Sequence, residues 1–169
     1  MKTIETDRLV IRKLELGDAG FMLDLLNQPS FIQFIGDRGV KTLDDARAYI
    51  EERALTGYEK NGFGPFAVEL KGGPEVIGIV SLLDRDELDD VDVGFAFLPD
   101  FWRRGYAFEA SMAVMEFAFE DLRLQRIIAV TQTDNIGSIK TLEKMGLAHE
   151  GEVRLDDDEH DLLLYAIER

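Results

Sequence analysis

Between Ala107 and Leu122 the chain is apolar at nearly every position, and its acids Glu109, Glu116 and Glu120 fall at i, i+7 and i+11 on one narrow stripe. A helix with that pattern has to be covered over most of its circumference, and the cover it predicts is a sheet. The stripe, Glu109 included, is assigned to solvent.

The flanking residues supply the strands. Arg8 to Leu14 reads as a first strand, and Asp18 then caps a short helix through Leu26 that Asn27-Gln28-Pro29 closes. Thr42, with Asp45 three residues on, opens a helix to about Lys60, which Asn61-Gly62 stops. Phe66–Leu70 and Val76–Leu83 flank Lys71-Gly72-Gly73-Pro74, a hairpin pattern, and Val91–Leu98 is the next strand. After the long helix come a strand (Arg126–Thr131), a helix (Ile136–Met145) and two strands, Leu147–Leu155 and Asp161–Ile167. The order β-α-α-β-β-β-α-β-α-β-β is a mixed α/β layer with an antiparallel middle and a late βαβ unit. No repeat or linker interrupts it, so residues 1–169 read as one domain.

Composition narrows the chemistry. The chain has no cysteine, which removes disulfides, zinc–thiolate sites and a thiol nucleophile, and its two histidines, His149 and His160, lack a ligand spacing. No metal is expected. No apolar run reaches the ~18 residues of a membrane span, and the polar, acidic N-terminus is unlike a signal peptide, so a cytoplasmic location is expected. A net charge of −15 argues against nucleic-acid binding. The acids concentrate in Asp84–Asp92, six in nine residues, and Glu150–Asp161, seven in twelve. These read as solvated loops, or as a funnel that concentrates a cationic substrate.

Two segments carry candidate chemistry. Phe97 to Ala107 joins a strand directly to the long helix, with Gly105 and Ala107 allowing close approach and Arg103 and Arg104 adding charge. The first-turn N–H groups and the positive end of the helix dipole make an anion site, read as a pyrophosphate cradle. Asn135 and Ser138 share a helix face at the C-terminal end of the preceding strand, where ligands bind in α/β sheets. Asn135 or Asp134 also reads as the cap of that helix, and Gly146 as its close.

Phe101-Trp102-Arg103-Arg104-Gly105-Tyr106-Ala107-Phe108-Glu109-Ala110 resembles the acetyl-CoA loop of the GNAT N-acetyltransferase superfamily, in its RimJ/RimL-like branch. Asn135-x-x-Ser138…Leu142-x-Lys144-x-Gly146-Leu147 resembles that branch's second motif. Thr6–Arg12 and Asp161-x-x-x-Tyr165-Ala166 resemble its two ends. The resemblance implies a single GNAT-like domain: a twisted, mostly antiparallel sheet with helices on both faces and a splayed central strand pair. It implies acetyl-CoA held by Phe97, Leu98, Arg103, Arg104, Gly105, Tyr106, Ala107, Asn135, Ser138 and Lys144, with pantetheine along the strand edge near Phe95 to Leu98. An amine (a peptide N-terminus, a polyamine or a small molecule) would attack the thioester directly, and a homodimer is admissible.

The sequence departs from the family where many members carry a tyrosine acid; Leu142 stands there and has no proton to give. Ser138 is then the expected acid, or else a helix-face serine bonded to backbone or CoA. Asp92 is the expected base, with Asp156, Asp157 and Glu150 as rivals and a water chain as a further route. Two other readings stay open: a non-catalytic acetyl-CoA-binding module, and an acidic interaction domain.

Overall fold

The computed structural model describes residues 2–73, 75–156 and 160–169. Eight strands form one sheet: Ile4–Glu5 (β1), Leu9–Lys13 (β2), Pro65–Leu70 (β3), Val76–Leu83 (β4), Asp92–Phe97 (β5), Arg126–Thr131 (β6), Ala148–Val153 (β7) and Leu162–Glu168 (β8). Their order is β1-β2-β3-β4-β5-β6-β8-β7, and every contact is antiparallel except β5–β6. The helices are Ala19–Leu26 (α1), Pro29–Phe34 (α2), Leu43–Ile50 (α3), Thr56–Asn61 (α4), Tyr106–Glu120 (α5) and Ile136–Lys144 (α6).

The mixed α/β architecture is as the sequence predicts. Four local features differ. β1 is an additional strand, two residues long. Pro29 closes α1 as expected but also opens α2, because its fixed φ suits the first turn of a helix. The helix begun by the Thr42–Asp45 capping box is interrupted at Glu51–Leu55 by a π-helical turn and ends at Gly62, at φ +79°. Asp18 does not cap α1 through its side chain. Its carboxylate is instead bidentate to Arg12, at 2.8 and 2.9 Å, and accepts the Glu15 N–H.

Successive residues of β3 and β4 point to opposite faces, and both faces are covered: Phe66, Val68, Val80 and Leu82 on one, Ala67 and Ile77 on the other, are fully buried. α5 covers the first face. Phe117 meets Phe66 edge-on at 6.4 Å, and Tyr58 stacks on the same Phe66 ring at 5.7 Å. The Tyr58 hydroxyl accepts the Leu14 N–H and donates to the Pro65 carbonyl, tying the end of β2 to the start of β3. Burial pushes its phenol up to about 12.

Gly78 faces Phe97 across the β4–β5 ladder, and a Cβ there would lie 2.4 Å from the Phe97 ring. The glycine is required so that the ring at the end of β5 can lie flat on β4. Gly78→Ala is therefore expected to destabilise the fold by about 1–3 kcal/mol through overpacking, read as a lower midpoint in urea unfolding. Asp18→Asn is a second test. Burial opposes the Asp18 charge, but the Arg12 and Glu15 hydrogen bonds outweigh it and hold its carboxyl below the ordinary 3.8. A depressed carboxyl stabilises above its unfolded pKa and loses that contribution as pH falls through the folded one. Wild type should exceed Asp18→Asn by about 1–3 kcal/mol at neutral pH, with the difference closing below pH ~3.9.

Candidate active site

β5 and β6 run parallel and are in register at one position, Asp92 opposite Ile128, with the Ile128 N–H bonded to the Val91 carbonyl. Beyond that point they part. Backbone groups alternate sides along a strand. Because Val91 faces β6, so do Val93, Phe95 and Phe97, whereas the Leu98 N–H is bonded to Ile77 of β4. The same pairing takes the Val93 N–H to the Ile128 carbonyl, so the open edge belongs to Phe95 and Phe97. Leu98, predicted to share it, has its N–H turned the other way.

The loop after β5 carries two residues at positive φ, Arg103 at +59° and Gly105 at +80°. The left-handed conformation costs a residue with a side chain roughly 1–2 kcal/mol, and such strain gathers at ligand sites. Gly105 is the N-cap of α5, and the first bond closed inside the helix is Glu109 N–H to the Gly105 carbonyl. The N–H groups of Tyr106, Ala107 and Phe108 are left without a helical partner at the positive end of a fifteen-residue dipole. Arg103 and Arg104 are exposed beside them. Trp102, expected to be buried if this were merely a basic loop, is 46% exposed, and its indole N–H donates to the Phe97 carbonyl at 2.7 Å.

α6 starts at the same edge. The Asn135 side chain caps it by accepting the Ser138 N–H at 3.2 Å. Gly146, at φ +92°, ends it with paired bonds from Gly146 to Glu143 and from Leu147 to Leu142. Lys144 lies over the Phe108 ring of α5 at 4.3 Å, so the far end of α6 touches the first turn of α5. Lys144 thus joins the last turn of α6 to the first turn of α5, which the Arg103–Gly105 loop precedes, while Asn135 and Ser138 lie at the other end of α6.

The carboxylates sort by environment. Asp92 is fully buried at the point where β5 and β6 part; desolvation raises its pKa, against the opposing pull of Arg85 Nε at 2.8 Å. Glu150 is engaged through both oxygens by Arg126, which holds its carboxyl low. Arg126 also binds Asp90 and Glu168. Asp156 is exposed, and Asp157 lies outside the described residues. His149 stands beside the Tyr165 ring at 5.4 Å, and His160 is exposed.

Glu109 is where the sequence reading fails. It does not face open solvent: Oε1 accepts from the Thr6 hydroxyl at 2.6 Å and the Arg8 N–H at 3.0 Å, and Oε2 takes the Arg8 guanidinium at 2.6 Å. A helical stripe reports position around its own axis only, and the partners lie about a hundred residues upstream. Thr6 and Arg8 were visible in the sequence as part of a terminal motif, but with no role attached.

No group of three or more metal-ligating side chains forms among the described residues, and no helix there is long and apolar enough to cross a membrane. A family model described as an acetyltransferase (GNAT) domain matches residues 8–148. YnaD, an uncharacterized N-acetyltransferase of Bacillus subtilis strain 168, is 31% identical over 148 residues, covering 88% of this chain and 84% of the relative. A GNAT-family acetyltransferase from Bacillus anthracis superposes with a TM-score of 0.81 at 27% identity over 98% of both chains. RimL, a ribosomal L7/L12 alpha-N-protein acetyltransferase solved in complex with coenzyme A, gives 0.85 at 16% identity over 99% of this chain and 98% of its own, a likeness of fold. With the domain model spanning most of its length and relatives named for acetyl transfer, the chain is an acyltransferase and belongs to the GNAT acetyltransferase family.

Proposed function

We propose that the chain transfers an acetyl group from acetyl-CoA to an amine, in a ternary complex without a covalent enzyme intermediate. The observation that carries the donor assignment is the left-handed Gly105 at the head of α5, which turns unpartnered N–H groups and two arginines toward the edge where β5 and β6 part. These residues fit a pyrophosphate: backbone donors at a helix N-terminus take phosphate oxygens. Lys144, over the Phe108 ring in the first turn of α5, adds a third cation. Phe95 and Phe97 would pair with the amides of the pantetheine arm, with Asn135 beside it.

Acetyl-CoA, when bound, supplies an activated thioester carbonyl that a neutral amine attacks. The Phe95 N–H group faces the opening and is the strand donor suited to polarise that carbonyl. Asp92 is the best placed of the carboxylates to accept the amine proton, directly or through water, because burial raises its basicity whereas Arg126 depresses that of Glu150. Ser138, in the first turn of α6, is the hydroxyl assigned to protonate the departing thiolate. The excess of acids in Asp84–Asp92 and Glu150–Asp161 favours a cationic acceptor, such as a peptide N-terminus or a polyamine. RimL, a neighbour in fold that is named for acetylating a protein α-amino group, supports a protein N-terminus as one such acceptor. A chain without cysteine suits the reducing cytoplasm.

Calorimetric titration with acetyl-CoA tests the donor site. Micromolar affinity, about −8 kcal/mol, is expected for the wild type. Gly105→Asp should remove it, because it forces a side chain into the left-handed region and against the Arg8 guanidinium that holds the Arg104 carbonyl. Binding unchanged in that variant would refute the assignment. Asp92→Asn should lower kcat by about 10²–10⁴ while leaving acetyl-CoA affinity intact, measured as amine-dependent release of CoA.

A further inference from the structure

We propose that Arg8, fixed by Glu109, is a positioning residue for the acyl donor: it sets the direction of the Arg104–Gly105 peptide, and so aims the Gly105 N–H at the bound anion. This inference rests on the reading of the Arg103–Ala107 loop as a pyrophosphate site.

The geometry is a brace between the turn preceding β2 and the loop preceding α5. Arg8 Nη1 donates to the Arg104 carbonyl at 2.8 Å, and the guanidinium lies over the Tyr106 ring at 4.6 Å. Its Nη2 is 3.3 Å from where a Cβ at Gly105 would stand. One side chain thus touches three consecutive residues of the loop. The guanidinium is itself held by Glu109, through Nε and Nη2, each at 2.6 Å. Glu109 in turn accepts from the Thr6 hydroxyl and the Arg8 N–H, and the Thr6 hydroxyl oxygen accepts the Leu9 N–H at 3.0 Å.

The consequence follows from peptide planarity. In a trans peptide the C=O and the next N–H point in opposite directions. Holding the Arg104 oxygen on Arg8 therefore points the Gly105 N–H away from Arg8, to the side on which an anion can receive it. The loop around this peptide, with positive φ at Gly105 and at Arg103 two residues earlier, has no helical or strand ladder to fix the plane. Reversing it would present a carbonyl dipole to the anion. The pairing also disposes of the Glu109 charge. A free carboxylate in the first turn of α5 would repel a diphosphate, whereas the Arg8–Glu109 pair has no net charge and leaves Arg103 and Arg104 for the ligand.

The test compares wild type with Arg8→Met, which keeps the apolar stem, and with Glu109→Gln, alone and combined. Arg8→Met is expected to weaken CoA binding by calorimetry by about tenfold or more, the factor carried by one charge-assisted hydrogen bond. KM for acetyl-CoA should rise by a similar factor with kcat nearly unchanged. Acetylpantetheine, a donor with no pyrophosphate, should be used equally well by both proteins. Arg8→Lys should rescue only in part, since an ammonium cannot hold the carboxylate and the carbonyl in one plane. Adding Glu109→Gln to Arg8→Met should cost nothing more and recover part of the loss, because both changes release the same brace and the second removes the carboxylate that the first leaves free. Equal CoA affinity in wild type and Arg8→Met overturns the proposal, and so does an equal loss with acetyl-CoA and acetylpantetheine, which would mark a general loosening of the fold. Failure of the wild-type chain to bind CoA is a different result and overturns the donor-site reading itself.

Discussion

Everything the site offers depends on β5 and β6 parting after a single position in register. Two parallel strands in mid-sheet ordinarily satisfy each other's backbone, and an unpaired edge there costs hydrogen bonds. Here the separation leaves Phe95 and Phe97 with N–H groups turned into the gap between the strands. The antiparallel β4 ladder on the other side keeps β5 straight, with Leu98 still bonded to Ile77 after the last strand residue. Phe97 is fixed twice, by its ring on Gly78 and by its carbonyl on the Trp102 indole. The edge is thus open yet rigid, which is what a binding surface made of backbone requires.

The same economy appears at both helices that meet this edge. α5 and α6 begin immediately after the two parting strands, so both N-termini point into one region. α6 satisfies one of its own orphan donors with Asn135, and α5 has no side-chain cap at all. A fifteen-residue helix tolerates the lack because it is buried along its length: Ala110, Val114, Met115 and Ala118 are almost wholly inaccessible. Stability that a cap would have contributed comes from packing, and the N–H groups stay available.

How much of this was legible in the sequence follows from the range of each interaction. The α5 pattern, the Thr42 capping box, the hairpin at Lys71–Gly73 and the Asn135 cap are local, and the residues that decide them lie within a few positions of one another. Asp18 and Glu109 were misread for the opposite reason. Each has the local setting of an ordinary polar residue, a cap or a solvent stripe, and each is claimed by an arginine that the fold brings to it from another element. Charge on one element carries no information about where the partner is. The parting of β5 and β6 was likewise implied only by resemblance, since Val91–Leu98 has the pattern of any buried strand.

On the proposed reading, a chain of net charge −15 binds a donor that is itself strongly anionic, and local charge reconciles the two. At physiological salt, charges farther apart than about 8 Å are largely screened. What governs the anion is therefore its immediate surroundings, not the total. Around the opening the cations are Arg103, Arg104 and Lys144, joined by the dipole of α5, and the one acid in its first turn is matched by Arg8. Asp92, where the strands part, is held by Arg85, and Asp90, Glu150 and Glu168 converge on Arg126. Acids outnumber cations 34 to 19 in this protein, and several of the arginines sit where a carboxylate would otherwise face the site or lie buried alone. On the proposed reading, the exposed acids away from the loop attract a cationic acceptor without opposing the donor.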